Sequence, residues 1–144
     1  MKQSRENMYS TGGDDQQMNE AMETARKTFV NFDNAFRSGN YDKRTFSIKL
    51  RFAHAKGYEH IWATNIWMRN GHYWGIITDT PLTTTKVRLG DSVEIKEQDI
   101  TDWMYADDTV FHGGYTTRVI LNRLPMEERE KVKKESFDDH KIVD

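Results

Sequence analysis

The chain has 144 residues, of which 31% are charged, with a formal net charge of −2 and no cysteine. That length suffices for one domain with its own core, and the missing cysteines exclude thiol catalysis, iron–sulfur clusters, thiolate zinc sites and disulfides. The 21 Lys and Arg residues form no block or stripe that would track a phosphate backbone, so nucleic acid is not expected as a partner.

Residues 1–13 are polar and aperiodic, contain Gly12-Gly13 and read as a disordered lead-in. No apolar run there could serve as a signal-peptide core, and none elsewhere could span a bilayer, so a soluble, cytoplasmic protein without membrane contact is expected. Asp14 with Gln17 suits a helix start. Met18, Met22, Ala25, Phe29, Phe32 and Phe36 then recur at steps of three and four on one stripe, and Gly39 suits a left-handed stop. The stripe is short for an independent coiled coil, and its three phenylalanines suit a flat sheet, so a long N-terminal helix packed on a sheet is expected.

In RTFSIKLRFAH, residues 44–54, Phe46, Ile48, Leu50 and Phe52 alternate with polar residues, as in a half-buried antiparallel strand. YEHIWATNIWMRNGHYWGII, residues 58–77, carries Asn70-Gly71, the preferred pair for a two-residue type I′ turn. That turn sets Arg69 opposite His72, Met68 opposite Tyr73, Trp67 opposite Trp74 and Asn65 opposite Ile76. A four-residue AKGY connection would set Phe52 opposite Ile61 and Ile48 opposite Asn65. Ile61, Trp67, Trp74 and Ile76 would then share the core face with the first strand, while His60, Trp62, Thr64, Ile66, Met68, Tyr73 and Ile77 would join Lys49 and Arg51 on the second face. An unpaired Asn65 amide on the core face would be costly and must find partners.

Short strands are expected at 86–89, 92–96, 100–105 and 115–123, and a short C-terminal helix of about three turns from Pro125, with Glu127–Lys131 and Glu130–Lys134 as favourable pairs. The tail from 138 should fray. The fold expected over residues 14–137 is therefore a single α+β domain: a strongly bent antiparallel sheet, closing toward an SH3-like, partly open barrel.

Chemistry-bearing motifs are sparse. Glu59 and His60 are strand neighbours and point to opposite faces, HExxH is absent, and the five histidines form no cluster, so neither a metal nor a cofactor is expected. No Gly-x-Ser-x-Gly elbow or activated serine is present. HGGYTTR, residues 112–118, offers two glycines whose amides could meet an anion beside Arg118, but it lacks a phosphate loop's spacing and reads first as a bend entering a strand. Asp102 would cap a turn or pair with Arg118.

EHIW at 59–62, the glycine after Trp74, Pro81, Leu89-Gly90-Asp91, ITDWMY at 100–105 and GGYTTR at 113–118 together resemble the YegJ-like family of uncharacterised bacterial proteins over residues 44–123. The resemblance implies a bacterial or phage source and a compact, mainly β domain, and carries over no activity. Candidate binding residues are His60, Trp62, Tyr73, Asp102, Trp103, Gly114, Tyr115 and Arg118. The leading expectation is a non-enzymatic protein-interaction module with an unidentified protein partner, such as an immunity or anti-defence protein, since Trp, Tyr and Arg favour interface hot spots. The alternatives are a small hydrolase or transferase using His60 and Asp102, and a small anionic-ligand-binding domain using Gly113, Gly114 and Arg118.

Overall fold

The computed structural model describes residues 15–136 and 141–143; the expected lead-in at 1–13 and Asp14 lie outside them. Helix α1, Gln16–Ser38, starts at Asp15, whose carboxylate accepts from the Met18 amide, and stops at Gly39 with φ of 71°. A single sheet follows, built from β1 Ser47–His54, β2 Gly57–Arg69, β3 His72–Ile77, β4 Ser92–Glu94, β5 Ile100–Asp107 and β6 Val110–Gly113, then helices α2 Tyr115–Arg123 and α3 Met126–Ser136 and strand β7 Lys141–Val143. The strand order is β4-β3-β2-β1-β5-β6-β7. All neighbours are antiparallel except β7, which lies within the stretch expected to fray and pairs parallel to β6. The architecture is α+β, and the sheet stays open: β4 and β7 are its two edges, so the expected approach to an SH3-like closure is not made.

The stripe of α1 buries against one face of the sheet. Phe32 is fully buried and its ring meets those of Phe29, Phe36, Phe46, Tyr73 and Trp103 at centroid distances of 5.0–6.2 Å. Aromatic pairs at such spacings contribute beyond the area they bury. Phe46, Ile48, Leu50, Ile61 and Ala63 complete this core, and the Trp103 indole N–H donates to the Ala25 carbonyl at 3.1 Å, fixing α1 over β5.

Two registers differ from expectation. The β1–β2 connection is tighter than a four-residue loop, with His54 paired to Gly57 and therefore Leu50 to Ile61 and Ile48 to Ala63. That shift of two residues preserves the faces. The second difference does not. Asn70-Gly71 sets Arg69, Met68 and Trp67 opposite His72, Tyr73 and Trp74 as expected, but Thr64, not Asn65, faces Ile76. One extra residue sits in β2, and Asn65 takes φ of 50° there and is exposed. A one-residue bulge exchanges the faces of everything beyond it. Tyr73 and Ile77 therefore join the core, and its phenol donates to Asp33 at 2.5 Å. Trp67, Trp74 and Ile76 turn to the far face, half-exposed. With Ala63 and Ile66 both directed at the core, Gly75 leaves them room: a Cβ there would stand 2.9 Å from Ile66 Cδ1 and 3.0 Å from Ala63 Cβ.

The expected strand at 86–89 is absent. Residues 78–91 form a loop held by Glu59, whose carboxylate accepts from the amides of Leu82, Thr83 and Thr84 and from the Thr83 hydroxyl at 2.7–3.0 Å. Burial pushes this carboxyl up, but the loop amides outweigh it and hold Glu59 below the ordinary glutamate range. The expected strand at 115–123 is helix α2 instead, for a reason given below. Helix α3 follows Pro125 as expected.

The bulge makes a prediction about its residue. Asn65→Gly should leave stability within about 0.5 kcal/mol, while Asn65→Val, which resists positive φ, should cost about 1–3 kcal/mol in urea unfolding. Equal midpoints for the two variants would contradict a bulge at this position.

Candidate functional site

Trp103 and Tyr105 point from β5 into the α1 core, so Asp102 and Met104 point to the opposite face. After β6, Gly113 and Gly114 take consecutive positive φ values of 84° and 67°, and the Gly114 amide donates to the Trp103 carbonyl at 2.7 Å. A Cβ on Gly113 would lie 2.2 Å from that carbonyl oxygen. This corner aims the start of α2 at Asp102, whose two carboxylate oxygens accept from the amides of Trp103, Tyr115 and Thr116 at 2.8–3.2 Å and from the Thr116 hydroxyl at 2.5 Å. The Gly114 cap position has no side chain to close the helix; Asp102 does so from the strand.

Lys49 faces Asp102 in the β1–β5 ladder. Its ammonium donates to the Thr116 hydroxyl at 3.0 Å and lies 5.2 Å from the Trp62 ring centroid. Lys49 is 2% exposed and Asp102 0%, so two opposite charges share one dry compartment, bridged by Thr116. Burial pushes the Asp102 carboxyl above the ordinary aspartate range, against the pull of Lys49, Thr116 and the backbone amides. Leu121 of α2 and Leu124, the residue that ends it, extend the cover over Met104, Phe111 and Ile142, and Arg123 ties the end of α2 to Asp15 at the start of α1.

The β1–β5 ladder shifts register between Lys49 and Leu50, leaving Thr101 as an extra residue in β5. The Thr101 hydroxyl sits 3.2 Å from His60 Nδ1. Burial, then the charges of Lys49, Arg51 and Arg26, lowers the His60 pKa from 6.5 to about 4, so the imidazole is neutral near pH 7. Arg51, opposite His60, stacks 4.8 Å over the exposed Tyr58 ring and reaches 3.7 Å from Asp99. Beyond His60, the far face of β2 and β3 carries Trp62, Thr64, Trp67, Trp74 and Ile76, all half-exposed, with Trp67 and Trp74 stacked at 6.3 Å.

Of the residues singled out in the sequence, His60, Trp62 and Asp102 lie on this far face, with Gly114 and Tyr115 at the helix corner beside Asp102. Arg118 lies 4.5 Å over the Tyr115 ring and donates to the Gly113 carbonyl at 2.8 Å. Tyr73 and Trp103 lie in the core on the opposite side, and the Tyr115 ring joins them there, edge-on to Trp103 at 5.9 Å, while its amide meets Asp102. The amides at the Gly-Gly corner meet Asp102. Sequence reasoning missed Lys49, Thr101 and Thr116 as members of the polar centre, and assigned Trp67 and Trp74 to the core. The visible signal was a lysine inside an apolar strand and the Thr-Thr pair after the glycines.

Asp102→Asn should cost about 3–5 kcal/mol in urea unfolding, because it leaves the Lys49 ammonium buried without a counter-charge, and Lys49→Met in that background should restore part of the loss. Additive losses would exclude the coupling. For His60, the unfolded chain takes up a proton below pH 6.5 that the fold refuses until about pH 4. Stability contributed by this neutral histidine is therefore lost as pH falls between those values, by about 2–3 kcal/mol, and is unaffected above pH 7. His60→Gln should remove that increment, measured as the difference between wild-type and variant stabilities at pH 7 and pH 4.5.

Among the described residues, no group of three or more His, Asp or Glu side chains is placed to hold a metal ion, and no helix is long and apolar enough to cross a membrane. No solved structure matches the chain significantly. The chain is 35% identical over 124 residues, 85% of its own length and 80% of the relative's, to the uncharacterized protein YegJ of Escherichia coli K12. It is 30% identical over 126 residues to a putative ankyrin repeat protein of Neisseria meningitidis serogroup B, covering 80% of the chain and 49% of that protein. Residues 15–138 match the model of a family described as an uncharacterized protein conserved in bacteria, DUF2314, and the chain belongs to that family.

Proposed function

We propose that the chain is a non-enzymatic protein-interaction module that engages a protein partner through the far face of β2 and β3. The observation that carries this reading is the group of Trp62, Trp67, Trp74 and Ile76, held half-exposed on one rigid ladder with Arg51 and Tyr58 beside it. Tryptophan on a fixed strand presents a large apolar area at little conformational cost, which is what interface hot spots require. A non-catalytic role is further supported by the state of the acid in the polar centre. Asp102 is wholly buried, and its oxygens already accept four hydrogen bonds, which suits a structural cap better than a general acid or base. The name of the Neisseria relative points the same way, since ankyrin repeats are an interaction architecture and the matched region is about half of that protein. In its narrower form the proposal makes the partner a toxin or defence factor, with this chain as an immunity or anti-defence protein.

The experiment is affinity capture from the native host with the full chain as bait, quantified beside Trp62→Ser and Trp67→Ser variants whose melting temperatures match the wild type. A partner bound by the wild type and lost at least tenfold by either variant supports the proposal. A partner retained equally by both variants places the interface elsewhere.

A further inference from the structure

Strands β2 and β3 are apolar on both faces: their inner residues pack on α1, while Trp62, Trp67, Trp74 and Ile76 point outward. An antiparallel sheet that faces water carries polar residues on its outer side, so this composition belongs to a face that another element covers. Helix α2 covers β5 and β6 from that side and reaches β1 through Thr116 and Lys49. The uncovered strip runs from β1 to β4. Its width is three strand spacings, about 14 Å, against about 10–12 Å for one helix with its side chains. The inner face shows how such a strip is satisfied, since the single helix α1 sets Phe32 against both Phe46 beside β1 and Tyr73 of β3.

The strip also carries charge of one sign. Alternation puts Lys49 and Arg51 of β1 and Arg69 of β2 on the outer side, whereas Glu59, the one acidic residue in β1, β2 and β3, is turned inward to its loop. Asp102 answers Lys49 within the dry centre. The Arg51 guanidinium meets Asp99 only at 3.7 Å, its Nε is buried without a hydrogen bond, and Arg69 is exposed. After burial, the charges of Lys49 and Arg51 are the main causes of the lowered His60 pKa, which reports the same positive field. On a chain whose net charge is −2, this strip is aromatic and cationic.

We propose that this strip is the docking groove for an acidic amphipathic helix of the protein partner. The proposal rests on the interaction reading above and adds the partner's form and charge. A helix is required because it satisfies its own backbone, whereas an extended segment laid on a sheet face would press unpaired amides and carbonyls against the indoles. Acidity follows from the arginines. The same charge opposes a second copy of this chain, whose face would bring like charges together. The strand spacing sets the helix pattern: Trp62 and Trp67 are four pleated steps apart once the bulge is discounted, about 13 Å, the length of about nine helical residues. Apolar residues at i, i+4 and i+8 would rest on the indoles, with a carboxylate beyond the Trp62 end placed to meet Arg51.

The test uses the full chain and three fluorescein-labelled synthetic peptides of about five helical turns. The first has a leucine stripe flanked by glutamates, the second has lysine in place of each glutamate, and the third is the acidic peptide with proline at two central positions, which breaks the helix. Fluorescence anisotropy at low salt gives the affinities, and circular dichroism reports the helix gained on mixing. The acidic peptide should bind saturably, gain helix, and bind about tenfold or more tighter than either comparison. Trp67→Ser should weaken it about tenfold or more. Arg51→Glu and Arg69→Glu should each shift the preference toward the lysine peptide, and Arg69, being exposed, can be reversed without cost to the fold. The proposal is overturned if the lysine or proline peptide binds as tightly as the acidic one, if the arginine variants bind it as the wild type does, or if no peptide binds at millimolar concentration. Each of these outcomes removes the acidic helix alone. The interaction reading fails separately, when a captured partner is retained by both Trp62→Ser and Trp67→Ser.

Discussion

The Asp102 carboxylate is taken wholly out of water, and the arrangement around it decides how the second half of the chain folds. A buried carboxylate is tolerable only when its oxygens are satisfied and its charge is met. Here the amides of Trp103, Tyr115 and Thr116 and the Thr116 hydroxyl supply the hydrogen bonds, and Lys49 supplies the charge through Thr116. The same contacts provide α2 with the cap its own sequence lacks, so strand β5, strand β1 and helix α2 are joined at one point. The Gly113-Gly114 corner exists to make that junction reachable: any side chain on Gly113 would drive into the Trp103 carbonyl.

This centre also separates the two faces. On one side α1 packs its phenylalanines on the sheet; on the other α2 covers β5 and β6 and leaves the far side of β2 and β3 half-exposed. Two one-residue bulges tune the exposed side. The extra Thr101 in β5 places a hydroxyl against His60, and the extra Asn65 in β2 delivers Trp67 and Trp74 to the same face as Trp62.

How much of this was legible in the sequence depends on whether the determining forces were local. Helix α1 was, because its stripe and its Gly39 stop are local signals, and so was the Asn70-Gly71 turn with the three pairs nearest to it. The register failed five residues from the turn, at Asn65, where the chain takes a left-handed residue inside a strand. Asparagine is among the few residues that tolerate that conformation, so the cue existed, but it had no neighbouring glycine to mark it. The β-branched run in 115–123 read as a strand by propensity, and it is helical because a carboxylate thirteen residues earlier in the chain binds its first amides. No local pattern reports that. The polar centre escaped for the same reason: Lys49, Thr101 and Thr116 are ordinary residues until the sheet brings them beside His60 and Asp102.

The Asn65 bulge has a spectroscopic corollary. Of the four tryptophans, Trp103 is 1% exposed with its indole N–H engaged, while the other three share the far face in partial contact with solvent. Intrinsic emission therefore has two spatially separated origins, a blue component from the core and a redder, quencher-accessible component from a single surface. Without the bulge in β2, Trp67 and Trp74 would join Trp103 in the core, and Trp62 alone would report from the surface.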